Sequence, residues 1–270
     1  MRELERDLPT HLMDPSEHSP ALAIVGAGRV GGALSTAARR AGLDVRTAGR
    51  ADALDACNEA EVALLCVPDA AIPAALDRIL AAIPPLRLVG HVSGATGLDA
   101  LEPALEGGAA TFSAHPLQTV PDPDADLTAA PCAIAGSDPA AVDYATELAL
   151  RLGMRPFRVP EQNRAAYHAA AAIASNFLVA LGESAADLLA RAGVEEAEAR
   201  ELLAPLLLRS AANWAERGGE ALTGPIARGD AETVARHREA LAEVAPDLRE
   251  LYDALAERTR AVARSRTEAG

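Results

Sequence analysis

With 270 residues, half of them hydrophobic and 24% charged, the chain has a globular balance and enough length for more than one core. A formal net charge of −14 opposes a phosphate backbone, which argues against nucleic acid as a partner. All 25 basic residues are arginine, and the lack of lysine excludes Schiff-base chemistry and a lysine general acid.

Residues 1–19 mix acids with bases and contain no apolar run, so they read as a mobile tail, neither a signal peptide nor a membrane anchor. His11 and His18 receive no role there. Cys57, Cys66 and Cys132 are odd in number and lack C-x-x-C spacing, which fits a reducing compartment and argues against disulfides or a cysteine zinc site. The cytoplasm is the expected location, without membrane association, and no metal site is expected.

From residue 20 to residue 160, strands alternate with helices, the pattern of an α/β domain with a doubly wound, mainly parallel sheet of Rossmann type. Ala21 to Val25 is an apolar run that feeds Gly26-Ala27-Gly28-Arg29-Val30-Gly31, followed by an amphipathic helix to Gly42. This is G-x-G-x-x-G between a strand and a helix, the context in which the pattern binds a dinucleotide. Gly26 allows the tight turn, Gly28 lets a pyrophosphate approach the backbone, and Gly31 lets the helix pack on the strand. The second strand, Asp44 to Ala48, ends in Gly49-Arg50, where an NAD-specific domain commonly carries an acid. Arg50 suits a 2′-phosphate there, so NADPH is expected over NADH; the alternative is a solvated loop arginine.

Val62 to Val67 forms the next buried strand, and ligands of open sheets lie beyond the carboxyl ends of strands. Val67 and Pro68 are therefore expected on the nicotinamide side. Leu88 to Val92 repeats the design with Ser93-Gly94 just past its end, and "ATFSAHPLQTV" places His115 and Gln118 beyond another short strand. Ser93 and Gln118 are candidates for binding a substrate carboxylate or carbonyl. The "HPLQ" segment also reads as a structural turn. "PCAIAGSD", a helix from about Pro139 to Leu152 and "MRPFRVP" complete the sheet.

Residues 161–270 carry helical patterns only, broken at Gly193, Gly218-Gly219, "TGPIARGD" and Pro246. The first of these helices, "RAAYHAAAAIASNF" from Arg164 to Phe177, holds His168 and, at the edge of the same face, Asn176. A histidine on an apolar helix is often a hydrogen-bonded packing residue, but this helix directly follows a dinucleotide domain and is expected to line the cleft between domains. Asp230 reads as a helix N-cap, and Thr223-Gly224-Pro225 as a turn. Thr223 and Arg228 are candidates for reaching the substrate, in this subunit or a neighbour. His237 reads as solvated.

The segments "VGAGRVGGAL", "HVSGATG", "SAHPLQT", "YHAAAAIASNF" and "LTGPIARGD" resemble a bacterial family of Rossmann-like oxidoreductases with a C-terminal domain of unknown function. It is similar to the superfamily of 6-phosphogluconate dehydrogenase, ketopantoate reductase and pyrroline-5-carboxylate reductase, in which a Rossmann domain precedes a helical domain. The resemblance implies a substrate site between domains, a homodimer formed through the helical domain, and a lysine and an asparagine on its first helix. Asn176 can take the asparagine role; no lysine is present to act as acid.

The resulting expectation is an NADPH-dependent reductase of a small oxo acid, ketopantoate-like, or of a cyclic imine, with His168 as proton donor, Asn176 as orienting group and His115 as the rival donor. Histidine suits the role because its ordinary pKa, about 6.5, lies near neutrality. Two other readings stay open: a dinucleotide-binding sensor or assembly protein without catalysis, and a dehydratase or epimerase that keeps its nucleotide bound.

Overall fold

The computed structural model describes residues 21–83 and 86–268; the tail read at 1–19 lies outside them. Among the described residues seven strands form one sheet in the order β2-β1-β3-β4-β5-β6-β7. They are β1 (Leu22–Val25), β2 (Val45–Ala48), β3 (Val62–Leu65), β4 (Leu88–His91), β5 (Ala110–Pro116), β6 (Pro131–Gly136) and β7 (Arg155–Arg158). All pairings are parallel except β5 with β6, where His115 opposes Ala133.

β1 and β3 are short and continuously apolar because helices cover both faces. Alternate residues go to opposite cores. Leu22, Ile24, Val62 and Leu64 face α1 (Arg29–Arg40) and α5 (Pro139–Arg151). Ala23, Val25, Ala63 and Leu65 face α2 (Ala53–Asn58), α3 (Ile72–Ala82) and α4 (Glu102–Glu106). Asp138 starts α5 by accepting the Ala141 N–H at 2.8 Å.

Two expectations are corrected here. His115 lies within β5, not beyond it, because the antiparallel partner β6 extends that strand to Pro116. The helix expected from Arg164 to Phe177 is interrupted: α6 (Arg164–Ala174) and α7 (Asn176–Arg191) are separated at Ser175, with φ −121° and ψ −73°. The Ser175 hydroxyl donates to Asn176 Oδ1 at 2.8 Å, a local bond that competes with regular helix geometry.

Contacts divide the chain into two compact units after Ala171, eleven residues past Pro160. The reason is chemical. The first two turns of α6 carry Arg164 and Tyr167, whose side chains bond to residues of β5 and of the loop after β4.

The second unit contains α7, α8 (Glu196–Arg217), α9 (Pro225–Arg228), α10 (Ala231–Val244) and α11 (Arg249–Glu268). Asp230 caps α10, accepting from the Thr233 N–H at 3.0 Å. Breaks fall at the expected glycines and at Pro246, and among the described residues no strand follows β7. The stretch Glu161–Arg191 is long and apolar enough to cross a membrane, with mean hydropathy 1.4. However, its first turns carry the buried Arg164, and Asn176 and Glu183 interrupt its apolar surface.

Candidate functional site

The glycine turn at the end of β1 has the geometry that its sequence requires. Gly26 has φ +119°, a region that side chains other than glycine rarely occupy, and a Cβ there would collide with the Cys66 carbonyl. A Cβ on Gly31 would strike the Gly26 carbonyl, so this glycine lets α1 close onto the turn. At Gly28 a Cβ would meet nothing within 4 Å, and Ala27, Gly28 and Arg29 are exposed. No side chain caps α1 and no acid occupies its first turn. Its free N–H groups and positive dipole end therefore suit a phosphate.

Beside the turn lies a pocket of about 370 Å³, lined by Gly26, Gly49, Arg50, Val67, Pro68 and Arg78 among others. That volume is in the range of small-ligand sites. Arg78 donates from Nη2 to the Arg50 carbonyl at 3.4 Å, which brings two exposed guanidinium groups to one pocket. Arg78 went unread in the sequence because its significance depends on α3 lying beside the loop after β2. Val67 and Pro68, expected on the nicotinamide side, share this pocket with Arg50.

A second constellation stands at the carboxyl ends of β4 and β5. His91, the last residue of β4, is fully buried. The Ser93 N–H donates to His91 Nδ1 at 3.2 Å, so the ring proton is on Nε2 and goes to the Gly97 carbonyl at 3.1 Å. Burial holds the His91 pKa below its ordinary value; the bond to Gly97 opposes this, and the Arg164 charge adds to it. Ser93 Oγ accepts the N–H groups of Ala95 at 3.2 Å and Thr96 at 2.9 Å, so the hydroxyl expected to hold substrate shapes the turn.

Arg164 fastens this turn. Only 8% exposed, it donates to the Ser93 carbonyl at 3.0 Å, to Ser113 Oγ at 2.5 Å and to Glu161 Oε1 at 3.2 Å. Glu161 Oε1 also accepts the Leu98 N–H at 2.8 Å. The result is a rigid shelf on which Gly94 lies against two imidazoles. A Cβ on Gly94 would come within 2.7 Å of His115 Nε2 and 2.9 Å of His168 Cδ2.

The rings of His115 and His168 stand 6.3 Å apart, and the Tyr167 hydroxyl is 2.6 Å from His115 Nδ1. Burial, followed by the charges of His168 and Arg164, pushes the His115 pKa down to about 4. His115 is thus neutral at pH 7, a hydrogen-bond donor rather than a strong acid.

The structure brings Ser93, His115 and His168 together. Gln118 is turned to the loop beyond β5, where its Nε2 donates to the Asp126 carbonyl at 2.7 Å. Asn176, Thr223 and Arg228 are exposed residues of the second unit. Arg164 and Tyr167 were missed in the sequence although a signal was present: residues 164, 167 and 168 lie at i, i+3 and i+4 on one helical face. Among the described residues no group of three histidine, cysteine or acidic side chains could hold a metal.

Residues 46–116 match a Rossmann-like domain, and residues 130–259 match a domain of unknown function, DUF2520. No curated protein matches the sequence. Among solved structures, a protein of Bacteroides fragilis described as a candidate NADP oxidoreductase has a TM-score of 0.73 at 21% identity, covering 90% of this chain and 99% of its own. The 1-pyrroline-5-carboxylate reductase of Streptococcus pyogenes has a TM-score of 0.63 at 15% identity, covering 92% and 100%. A reductive aminase of Aspergillus terreus, in complex with NADPH and ethyl-5-oxohexanoate, has a TM-score of 0.64 at 18% identity, covering 89% and 93%. At these identities the likeness is one of fold. Matched in order, the two models give this chain a Rossmann-like domain followed by a DUF2520 domain, the organisation that the resemblance implied.

Proposed function

We propose that the protein is an NADPH-dependent oxidoreductase that reduces a small oxo acid or a cyclic imine. The observation that carries this reading is the open turn at Gly28, followed by an uncapped helix and flanked by the pocket of Arg50 and Arg78. The N-terminal amides of α1 bind the pyrophosphate, and the two arginines bind the 2′-phosphate through charge-assisted hydrogen bonds. When bound, a reduced nicotinamide supplies the hydride. The chain supplies what remains: reduction leaves an oxygen or nitrogen in need of a proton, and the His115–His168 pair is the donor group at the ends of β4 and β5. The likeness to a pyrroline-carboxylate reductase and a reductive aminase supports the imine arm, and the oxo acid arm stays beside it.

The parts expected of Asn176, Thr223 and Arg228 are tested by single alanine variants in an NADPH oxidation assay. A homodimer is part of the proposal. In the helical unit Phe177 is 56% exposed, Val179 65% and Leu208 70%, apolar surface that a second copy would cover.

Calorimetric titration of the full chain with NADPH and with NADH tests the cofactor reading. Tight NADPH binding that weakens about tenfold to a hundredfold in Arg50→Ala, with NADH unaffected, is the expected result, from about 1.5–3 kcal/mol for a charged hydrogen bond. Binding of neither nucleotide would remove the reductase reading. Binding without turnover of any oxo acid or imine would favour the sensor, a reading the missing lysine also supports.

A further inference from the structure

Tyr167 packs edge-on against both Phe157, at 6.0 Å between ring centroids, and His115, at 5.7 Å. That packing explains the ring and not the hydroxyl. The hydroxyl makes one hydrogen bond, 2.6 Å long, to His115 Nδ1. A phenol has one proton to give, and a neutral imidazole has one nitrogen to receive it. Were the imidazole proton on Nδ1, it would point at the phenol oxygen and leave the phenol proton without a protein acceptor in a half-buried position. With Tyr167 as donor both groups are satisfied, and the imidazole proton is on Nε2. His115 does not carry both protons near neutrality, because burial, His168 and Arg164 all disfavour the cation, with Asp69 opposing them and His91 adding to them.

The other ring nitrogen is open. His115 Nε2 has no hydrogen bond within the protein, and among the described residues no buried side-chain nitrogen or oxygen lacks a partner, so Nε2 reaches the surface. It borders Gly94, where even a methyl group would come within 2.7 Å of it.

We propose that Tyr167 is a positioning residue: its hydroxyl fixes His115 as the tautomer with the proton on Nε2, presented outward to the atom that is protonated in the reduction. The proposal rests on the reductase reading. As the substrate oxygen or nitrogen takes the Nε2 proton, the N–H electron pair stays on the ring. Nδ1 takes the Tyr167 proton, so the imidazole ends neutral in its other tautomer. The Nδ1 proton then returns to the phenolate as Nε2 takes a proton from water, which restores the starting tautomer. Burial is the main cause that pushes the Tyr167 pKa up to about 12, while the Arg164 charge favours the phenolate. Without the phenol, the same transfer would leave an imidazolate.

Nitrogen-15 NMR on full-length protein labelled at its six histidines reads which ring nitrogen carries the proton, and His115→Gln identifies the His115 signals. At pH 7 the wild type is expected to show His115 protonated on Nε2 alone. Tyr167→Phe, which keeps the ring against Phe157, is expected to show a mixture of both tautomers. A wild-type proton on Nδ1, or an unchanged tautomer in Tyr167→Phe, would overturn the proposal. Titrating the same samples with NADPH separates the two readings: absence of binding refutes the reductase, while the tautomer is decided by the spectra alone.

Discussion

Arg164→Ala isolates the residue that binds the start of α6 to the strand ends. The substitution strips the donor from the Ser93 carbonyl and from Ser113 Oγ, both on buried residues. Each buried acceptor left without a partner costs about 1–3 kcal/mol. The Glu161 pair adds little, since that carboxylate is 42% exposed. With water entering the vacated space, the loss is about 2–4 kcal/mol of stability in the first unit. Thiol reactivity is the suitable assay, because Cys57, Cys66 and Cys132 all lie in this unit whereas the single tryptophan, Trp214, lies in the other. Burial pushes the Cys57 thiol up to about 11 and those of Cys66 and Cys132 up to about 12, so the folded state reacts little and opening dominates. When reclosing is faster than labelling, the rate should rise roughly 30- to 700-fold. A rise of less than about fivefold, under about 1 kcal/mol, would mean that Arg164 is not the tie described, since that falls below the least that one orphaned buried acceptor should cost.

Gly94→Ala should displace both imidazoles while leaving the glycine turn of β1 untouched; NADPH oxidation is expected to fall at least tenfold with NADPH affinity unchanged, and normal turnover would argue against the His115–His168 pair. Stability of the first unit should fall as pH drops from about 6.5 to about 4. His91 and His115 have folded pKa values below the ordinary one, so across that window the unfolded chain binds more protons; denaturation curves should show a smaller pH slope in His115→Gln, and an unchanged slope would refute the assignment. Val179→Glu should convert a dimer to a monomer by light scattering. A monomeric wild type would remove the dimer, and co-sedimentation of the wild type with lipid vesicles would instead assign the apolar helices to a membrane surface.

The β1 turn, the loop arginine at residue 50, the alternation of strands and helices, the cap at Asp230 and the breaks at glycine were legible because each depends on residues within a few positions of one another. Backbone sterics, capping and side-chain period act at that range. The sheet order was not local: β6 runs antiparallel to β5 and thereby draws His115 into a strand, an arrangement that no period within "ATFSAHPLQTV" encodes. The break at Ser175 was lost among alanines, whose propensity favours continuing the helix. Tertiary structure alone decided the site. Tyr167 reaches His115 across 52 residues and Arg164 reaches Ser93 across 71, contacts that exist because parallel strands deliver their carboxyl ends to one rim and α6 begins beside it. The sequence by itself determined that a dinucleotide-type turn would form and which polar residues were available. Only the packing of strands against helices determined which of them would meet, because hydrogen bonds between distant segments depend on the position of both backbones.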